Sequence, residues 1–160
     1  MIRFDTLSKN EKEPWLPVLF DLFYENMRYI APGGLTYEQE KQQWISQVSP
    51  ALEKAPRKII LCFADETFAG YVQYYTNGNL LMIEEIQIAK AYQRTTLFGC
   101  LCKYLARTLP EELEIIEAYA VKQNLHSRGL MRKLRMVQIG EDSDFVHLQG
   151  SAQKIRPIFR

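Results

Sequence analysis

Histidine is nearly missing from this sequence: His126 and His147 are the two present, and neither has a carboxylate or cysteine at ligand spacing. A metal site is therefore not expected, because zinc and its relatives need clustered nitrogen, sulfur or oxygen donors. Cysteine is scarce too. Cys62, Cys100 and Cys102 lie inside apolar runs, so they read as buried free thiols of a reducing compartment rather than as disulfides. A nucleophilic role for Cys100 or Cys102 would need an exposed thiolate beside a base, which the apolar face of a packed helix does not offer. No charge sign dominates. The 20 Lys plus Arg against 19 Asp plus Glu leave a formal +1, which argues against broad capture of nucleic acid or an anionic membrane surface. The one basic cluster, Arg128, Arg132, Lys133 and Arg135, reads as a solvated helix face. No run approaches the roughly 20 apolar residues of a membrane span, and MIRFDTLSKNEKEP lacks the apolar centre of a signal peptide, so a soluble, cytoplasmic protein is expected.

What is present fits one compact domain over residues 1–160, with 47% hydrophobic residues to build its core. Ile2 and Phe4 alternate with charged residues as a short edge strand does. Leu16, Leu19, Phe20, Phe23, Met27 and Ile30 form a helical stripe behind Pro14 and Pro17, placed in a first turn, and Pro32-Gly33-Gly34 stops it. Thr36 with Gln39 three residues on resembles a capping box for a second helix to about Ser49; Pro50 to Arg57 is either linker or one more helical turn. IILCFA from Ile59 is a continuous apolar run of strand length. Thr67 to Tyr75 and Leu80 to Ile88 then flank Asn77-Gly78, a hairpin signal. After Gln93 the period is helical through Leu97, Leu101 and Leu105 to Pro110. Leu113 to Val121 is again a strand, and a strand, helix and strand of this length predict a parallel crossover that makes the strands around Ile86 and Ala118 neighbours. A last helix over Gln123 to Met136 and strands at Phe145 to Leu148 and Ile155 to Phe159 complete an α+β order.

The chain centres on Leu80 to Leu105, where an apolar strand carrying Glu84 and Glu85 runs through a polar turn into a helix whose first N–H groups could hold an anion. Glycine is absent from that turn, which reads Gln93, Arg94, Thr95, Thr96. Beside the anion site stands a plainer account, in which Thr95 or Thr96 is the N-cap of an ordinary packed helix.

This element order, with EEIQIAKAYQRT before a helix and the later YAVKQNLHSRGLMRKL, resembles the GNAT-type N-acetyltransferase superfamily across nearly the whole length. The resemblance implies a GNAT-like acyl-CoA N-acyltransferase fold, a mixed, mostly antiparallel central sheet flanked by helices. It implies acetyl-CoA as co-substrate, and an acceptor that is a small-molecule or peptide amine, with no nucleic acid and no membrane partner; a homodimer is compatible with it. Ile88 to Phe98 follows the superfamily's V-x-P-x-Y-Q/R-x-x-G-x-G/A at Ile88, Tyr92 and Gln93, while Thr96 and Phe98 replace both glycines. On that pattern Gln93, Arg94, Thr95, Thr96, Leu97 and Phe98 would cap the pyrophosphate, and the backbone of Ile86 and Ile88 would hold the pantetheine arm. Arg94 would offset part of the lost glycine access by pairing with phosphate.

Transfer of an acyl group to an amine needs a base, oxyanion donors and an acid for the departing thiolate. Glu84 and Glu85 point to opposite strand faces, so one of them can look into a cleft. A strand glutamate here often serves as base in the superfamily, and Glu85 ranks ahead of Glu84; for either, an ion pair across the sheet is the alternative. The second pattern, N-x-x-A-x-x-x-Y-x-K-x-G-F, maps onto Asn124, Ser127, Met131, Lys133, Arg135 and Met136. Met131 removes the tyrosine that commonly protonates the thiolate. Tyr119 is the substitute if it faces the cleft, and a half-buried strand residue if it does not. Asn124 is read both as a cofactor-side hydrogen bonder and as a helix N-cap. The reading is an acyl-CoA-dependent N-acyltransferase with direct transfer in a ternary complex, or a GNAT-like domain that has lost catalysis and serves as a ligand-binding or interaction module.

Overall fold

The computed structural model describes residues 1–54 and 56–159. Ala55, inside the segment read as linker or helical turn, lies outside the described residues. The elements are β1 (Ile2–Thr6), a 3-10 turn, α1 (Lys12–Met27), α2 (Tyr37–Glu53), β2 (Lys58–Ala64), β3 (Thr67–Asn77), β4 (Leu80–Ile88), a second 3-10 turn, α3 (Leu97–Thr108), β5 (Ile115–Val121), α4 (Leu125–Lys133), β6 (Val137–Glu141), β7 (Phe145–Ser151) and α5 (Ala152–Phe159). The strands form one sheet in the order β1-β2-β3-β4-β5-β7-β6. Of its pairings only β4 with β5 is parallel, as the crossover through α3 dictates.

Both faces of the sheet's centre are covered, which explains why β2 reads as an unbroken apolar run. Ile59, Leu61 and Phe63 pack with Tyr71 of β3 under Leu16, Leu19 and Leu22 of α1 and Leu52 of α2. Ile60 and Cys62 point the other way, into a core shared with α3, α4 and α5 through Leu97, Leu101, Met131 and Ile155. Burial pushes the thiols of Cys62 and Cys102 up to about 12, so neither is a thiolate at neutral pH.

Local signals account for most boundaries. Asp65 and Glu66 both sit at positive φ, the conformation a tight β2–β3 hairpin requires, and Gly78 at φ 58 turns β3 into β4. The Thr36 hydroxyl accepts from Gln39 N–H at 3.2 Å while the Gln39 side chain accepts from Thr36 N–H at 3.0 Å, a complete capping box.

Four expectations need correction. Pro17 stands beyond the first turn of α1, inside the helix. α2 does not stop at Ser49 but continues through Pro50 to Glu53. α4 is shorter than Gln123 to Met136, because Arg135 at φ 59 reverses the chain and Met136 N–H closes onto Met131 O at 3.0 Å. Ile155 to Phe159 is not a strand but part of α5, and the strand beside β7 is instead Val137–Glu141. Ala152, Ile155, Arg156 and Phe159 have helical spacing. Arg156 is buried to 9% exposure and donates to Ala106 O at 3.0 Å and to Pro110 O, capping the C-terminal end of α3.

Gly70 marks a close approach between β3 and β4. A Cβ there would lie 2.4 Å from Gln87 O, a backbone atom that cannot move without shifting β4. Gly70→Ala is therefore expected to lower unfolding stability by about 1–3 kcal/mol, read as a reduced urea midpoint.

Candidate active site

The pairing of β4 with β5 is short. It runs from Leu80↔Ile115 to Ile83↔Ala118 and ends there, while β4 stays paired with β3 as far as Ile88. Beyond Ile83 the two strands part, and a groove of about 570 Å³ opens between Glu84–Ile88 and Tyr119–Val121, closed at its sides by the end of α1 and by α4. The β3–β4 register slips at the same place: Gln73 faces Glu85 and Tyr74 faces Ile83, which leaves Glu84 as the extra residue of a bulge.

The bulge gives the two glutamates different surroundings. Glu84 pairs with Arg57 at 2.8 Å, and that guanidinium also lies 4.8 Å over the Tyr75 ring. Among the described residues no cation hydrogen-bonds to Glu85. Its carboxylate accepts from Gln87 Nε2, Gln87 Oε1 accepts from Asn26 Nδ2 at 2.9 Å, and the same Asn26 nitrogen donates to Ile88 O at 3.0 Å. Burial pushes the Glu85 pKa up to about 7, with the Glu84 charge adding to the rise and the Gln87 hydrogen bond opposing it. Among the described residues the hydroxyl of buried Tyr71 has no hydrogen-bond partner, and burial together with the Glu85 charge holds it neutral.

The other sequence-derived candidates divide into two groups. Ile86, Ile88, Gln93, Tyr119 and Asn124 line the groove with Glu84 and Glu85. Ile88 O already accepts from both Asn26 and, at 3.0 Å, Gln93 Nε2, so both of its lone pairs are used within the protein. Asn124 caps α4 through Ser127 N–H at 3.0 Å and reaches Met27 Sδ at 3.8 Å. Tyr119 is 52% exposed and stacks on His147 with centroids 4.3 Å apart; His147 in turn meets Glu117 at 2.8 Å.

Arg94, Thr95 and Thr96 are exposed on the turn outside the groove wall, and Arg94 has φ 62. Thr95 is the local cap: its hydroxyl donates to Tyr92 O at 2.6 Å and accepts from Leu97 N–H at 3.3 Å. Leu97 is core at 2% exposure, and Phe98 lines a separate apolar cavity of about 60 Å³ between α3 and α5. Met131, at 4% exposure, belongs to the core and also lines the groove. The first bond of α3 is Cys100 N–H to Thr96 O at 2.9 Å, so the N–H groups of Phe98 and Gly99 have no carbonyl ahead of them to pair with. A Cβ at Gly99 would meet nothing within 4 Å.

Asn26, Arg57 and Gln87 escaped the sequence reading. Glu85-x-Gln87, two polar residues on one face of an interior strand, is a signal that finds one of them; Asn26 and Arg57 come from distant segments that carry none. Among the described residues no group of three or more His, Cys, Asp or Glu side chains comes together to hold a metal ion, and no helix is long and apolar enough to cross a membrane.

A carboxyl group ionised only above about pH 7 makes the folded state bind more protons than the unfolded chain between about pH 4.5 and 7, so stability falls as pH rises through that window. Glu85→Gln removes this penalty. The variant is expected to gain on the order of 2–3 kcal/mol over wild type at about pH 8.5, with the difference vanishing near pH 4, in denaturant melts across that range.

No family model matches the sequence, and no curated protein matches it. Solved structures do match. The PaiA N-acetyltransferase of Thermoplasma acidophilum in complex with coenzyme A is 14% identical, with 94% of this chain and 99% of that one covered at a TM-score of 0.70. An acetyltransferase of Thermus thermophilus is also 14% identical, covering 94% and 97% at 0.72. The Campylobacter jejuni N-acetyltransferase PseH in complex with acetyl coenzyme A is 16% identical, covering 94% and 99% at 0.60. With its seven-stranded mixed sheet parted between β4 and β5 and flanked by five helices, this chain has the GNAT-type acyl-CoA N-acyltransferase fold.

Proposed function

We propose that the protein is an acyl-CoA-dependent N-acyltransferase that moves an acetyl group directly to the amine of a small molecule or peptide within a ternary complex. The feature that carries this reading is Glu85: a carboxylate in a groove between two parted strands, hydrogen-bonded by Gln87 and by no cation among the described residues, whose pKa burial pushes up to about 7. Acetyl-CoA would supply an activated carbonyl on a thiol leaving group. The unpaired edges at Ile86 and Tyr119 would hold its pantetheine arm, and the start of α3, with the Phe98 and Gly99 N–H groups and the Arg94 charge, would hold its pyrophosphate.

Glu85 is suited to take the proton of an acceptor ammonium, because a base poised near the working pH is present in its ionised form without being too weak to accept. Glu84 is less suited, since Arg57 already compensates its charge. Tyr119 lines the groove and is accessible, which fits the donor of a proton to the departing thiolate. Asn124 bridges α4 to the end of α1 and would shape the groove on the α4 side.

Met131 favours a second reading, a GNAT-fold module that binds ligand without transfer. It sits in the core where the superfamily pattern carries the tyrosine acid. The two readings separate in one set of measurements. Acetyl-CoA at 100 times its Kd should stabilise by about 2.7 kcal/mol and so raise the melting temperature by roughly 5–10 °C. No shift at millimolar concentration would sink the enzyme reading. Given binding, Glu85→Gln should lower kcat/KM by about 10²–10⁴ near neutral pH while Glu84→Gln stays within about threefold of wild type. Equal activity in the two variants would refute the base assignment; binding without turnover over a broad amine panel would favour the module.

A further inference from the structure

We propose that Asn26 and Gln87 are positioning residues for Glu85: two side-chain amides in series, anchored on the backbone at the end of β4, fix which hydrogen-bonding face the carboxylate meets. This rests on the reading of Glu85 as base and extends it to residues on two separate elements. An amide can be turned either way, and the backbone decides here. Asn26 Nδ2 faces Ile88 O at 3.0 Å, and a carbonyl can only accept, so the nitrogen of Asn26 must occupy that side. The same nitrogen donates to Gln87 at 2.9 Å, which obliges Gln87 to present its oxygen to Asn26 and leaves Gln87 Nε2 to face Glu85. The polarity runs one way, from the end of β4 through α1 and back to the carboxylate.

Two features argue against mere packing. Gln87 is 5% exposed, an expensive place for an amide that a leucine would fill without hydrogen-bond demands. Asn26 Oδ1 is buried with no partner among the described residues, so the arrangement keeps the two donor contacts of Asn26 at the expense of its acceptor. A fixed donor favours the charged carboxylate, and here it opposes burial and the neighbouring charge of Glu84. Among the described residues, the other titratable groups around Glu85 are Tyr71 from β3 and, along the groove, Tyr24, Arg28, Glu40, Lys90, Tyr119 and His126. Among the described residues, the hydrogen bond to the Glu85 carboxylate comes from Gln87.

The test titrates Glu85 directly, by ¹³C NMR of the glutamate carboxyl carbons from about pH 4 to pH 9 in the protein without added ligand, with Glu85→Gln identifying the signal. In Gln87→Met, which keeps the volume and removes both hydrogen bonds, the Glu85 midpoint is expected to rise by about 1 pH unit. In Asn26→Leu it should rise by less, because Gln87 can then turn. An unmoved or lowered midpoint in Gln87→Met overturns the proposal; should that variant not fold, the same result in Asn26→Leu does so. The titration needs no co-substrate, so the two ideas fail separately. Absence of an acetyl-CoA melting shift counts against the acyltransferase reading alone, and an unmoved midpoint counts against the positioning role alone. With both intact, the acid limb of kcat/KM moves with the NMR midpoint, whereas a purely structural role would lower activity equally at all pH values.

Discussion

The structure depends on β4 keeping one partner longer than the other. Its antiparallel ladder with β3 runs to Ile88, whereas its parallel ladder with β5 stops after Ile83. Every backbone polar group on the β5-facing edge beyond that point must find a partner elsewhere or stay available to a ligand. The bulge at Glu84 belongs to the same event: it bends the strand where pairing ends, and it turns two adjacent glutamates toward different company. The groove and the different surroundings of Glu84 and Glu85 therefore share a single origin in the sheet.

Leaving a strand half paired is costly, and the surrounding side chains show how the cost is met. Asn26 and Gln93 converge on Ile88 O, the carbonyl at the end of β4. Gly70 lets β3 come close enough to hold Gln87 in line. The remaining expense is concentrated around Glu85, where two buried polar atoms, Asn26 Oδ1 and the Tyr71 hydroxyl, lack partners among the described residues. Each such atom costs about 1–3 kcal/mol, so a core selected for stability alone would replace them. Their position beside a carboxylate with a raised pKa fits a site where stability has been given up for chemistry.

The sequence makes the elements legible wherever one local rule operates. The capping box at Thr36 and the apolar stripe of α3 appear where the residues place them, and the Asn77-Gly78 signal marks a hairpin whose two loop residues are Gly78 and Asn79. It fails where a distant contact decides. Ile155 to Phe159 has strand-like composition, but Arg156 must reach the carbonyls at the end of α3, and a helix presents it there beside Ile155. The site divides in the same way. Glu84 and Glu85 are conspicuous as neighbours on a strand, yet what separates them is an arginine 27 residues away and an asparagine on α1, neither of which a period or motif can find.

The residues that depart from the superfamily pattern turn out to alter less of the backbone than their side chains suggest. Arg135 stands at a glycine position and takes the left-handed φ of 59 that glycine would supply, so the end of α4 keeps its shape at the cost of local strain. Thr96 stands at another, but its φ of −74 and ψ of −7 are ordinary helical values that need no glycine. Phe98 turns into the apolar cavity with Ile86 and Phe159 rather than across the helix start. What the substitutions remove is not the shape of the turn but backbone access at one step, and Gly99, the next residue along, has open space where a Cβ would stand. Thr95 already occupies the N–H of Leu97, so among the described residues the N–H groups of Phe98 and Gly99 are the ones left open at the start of α3.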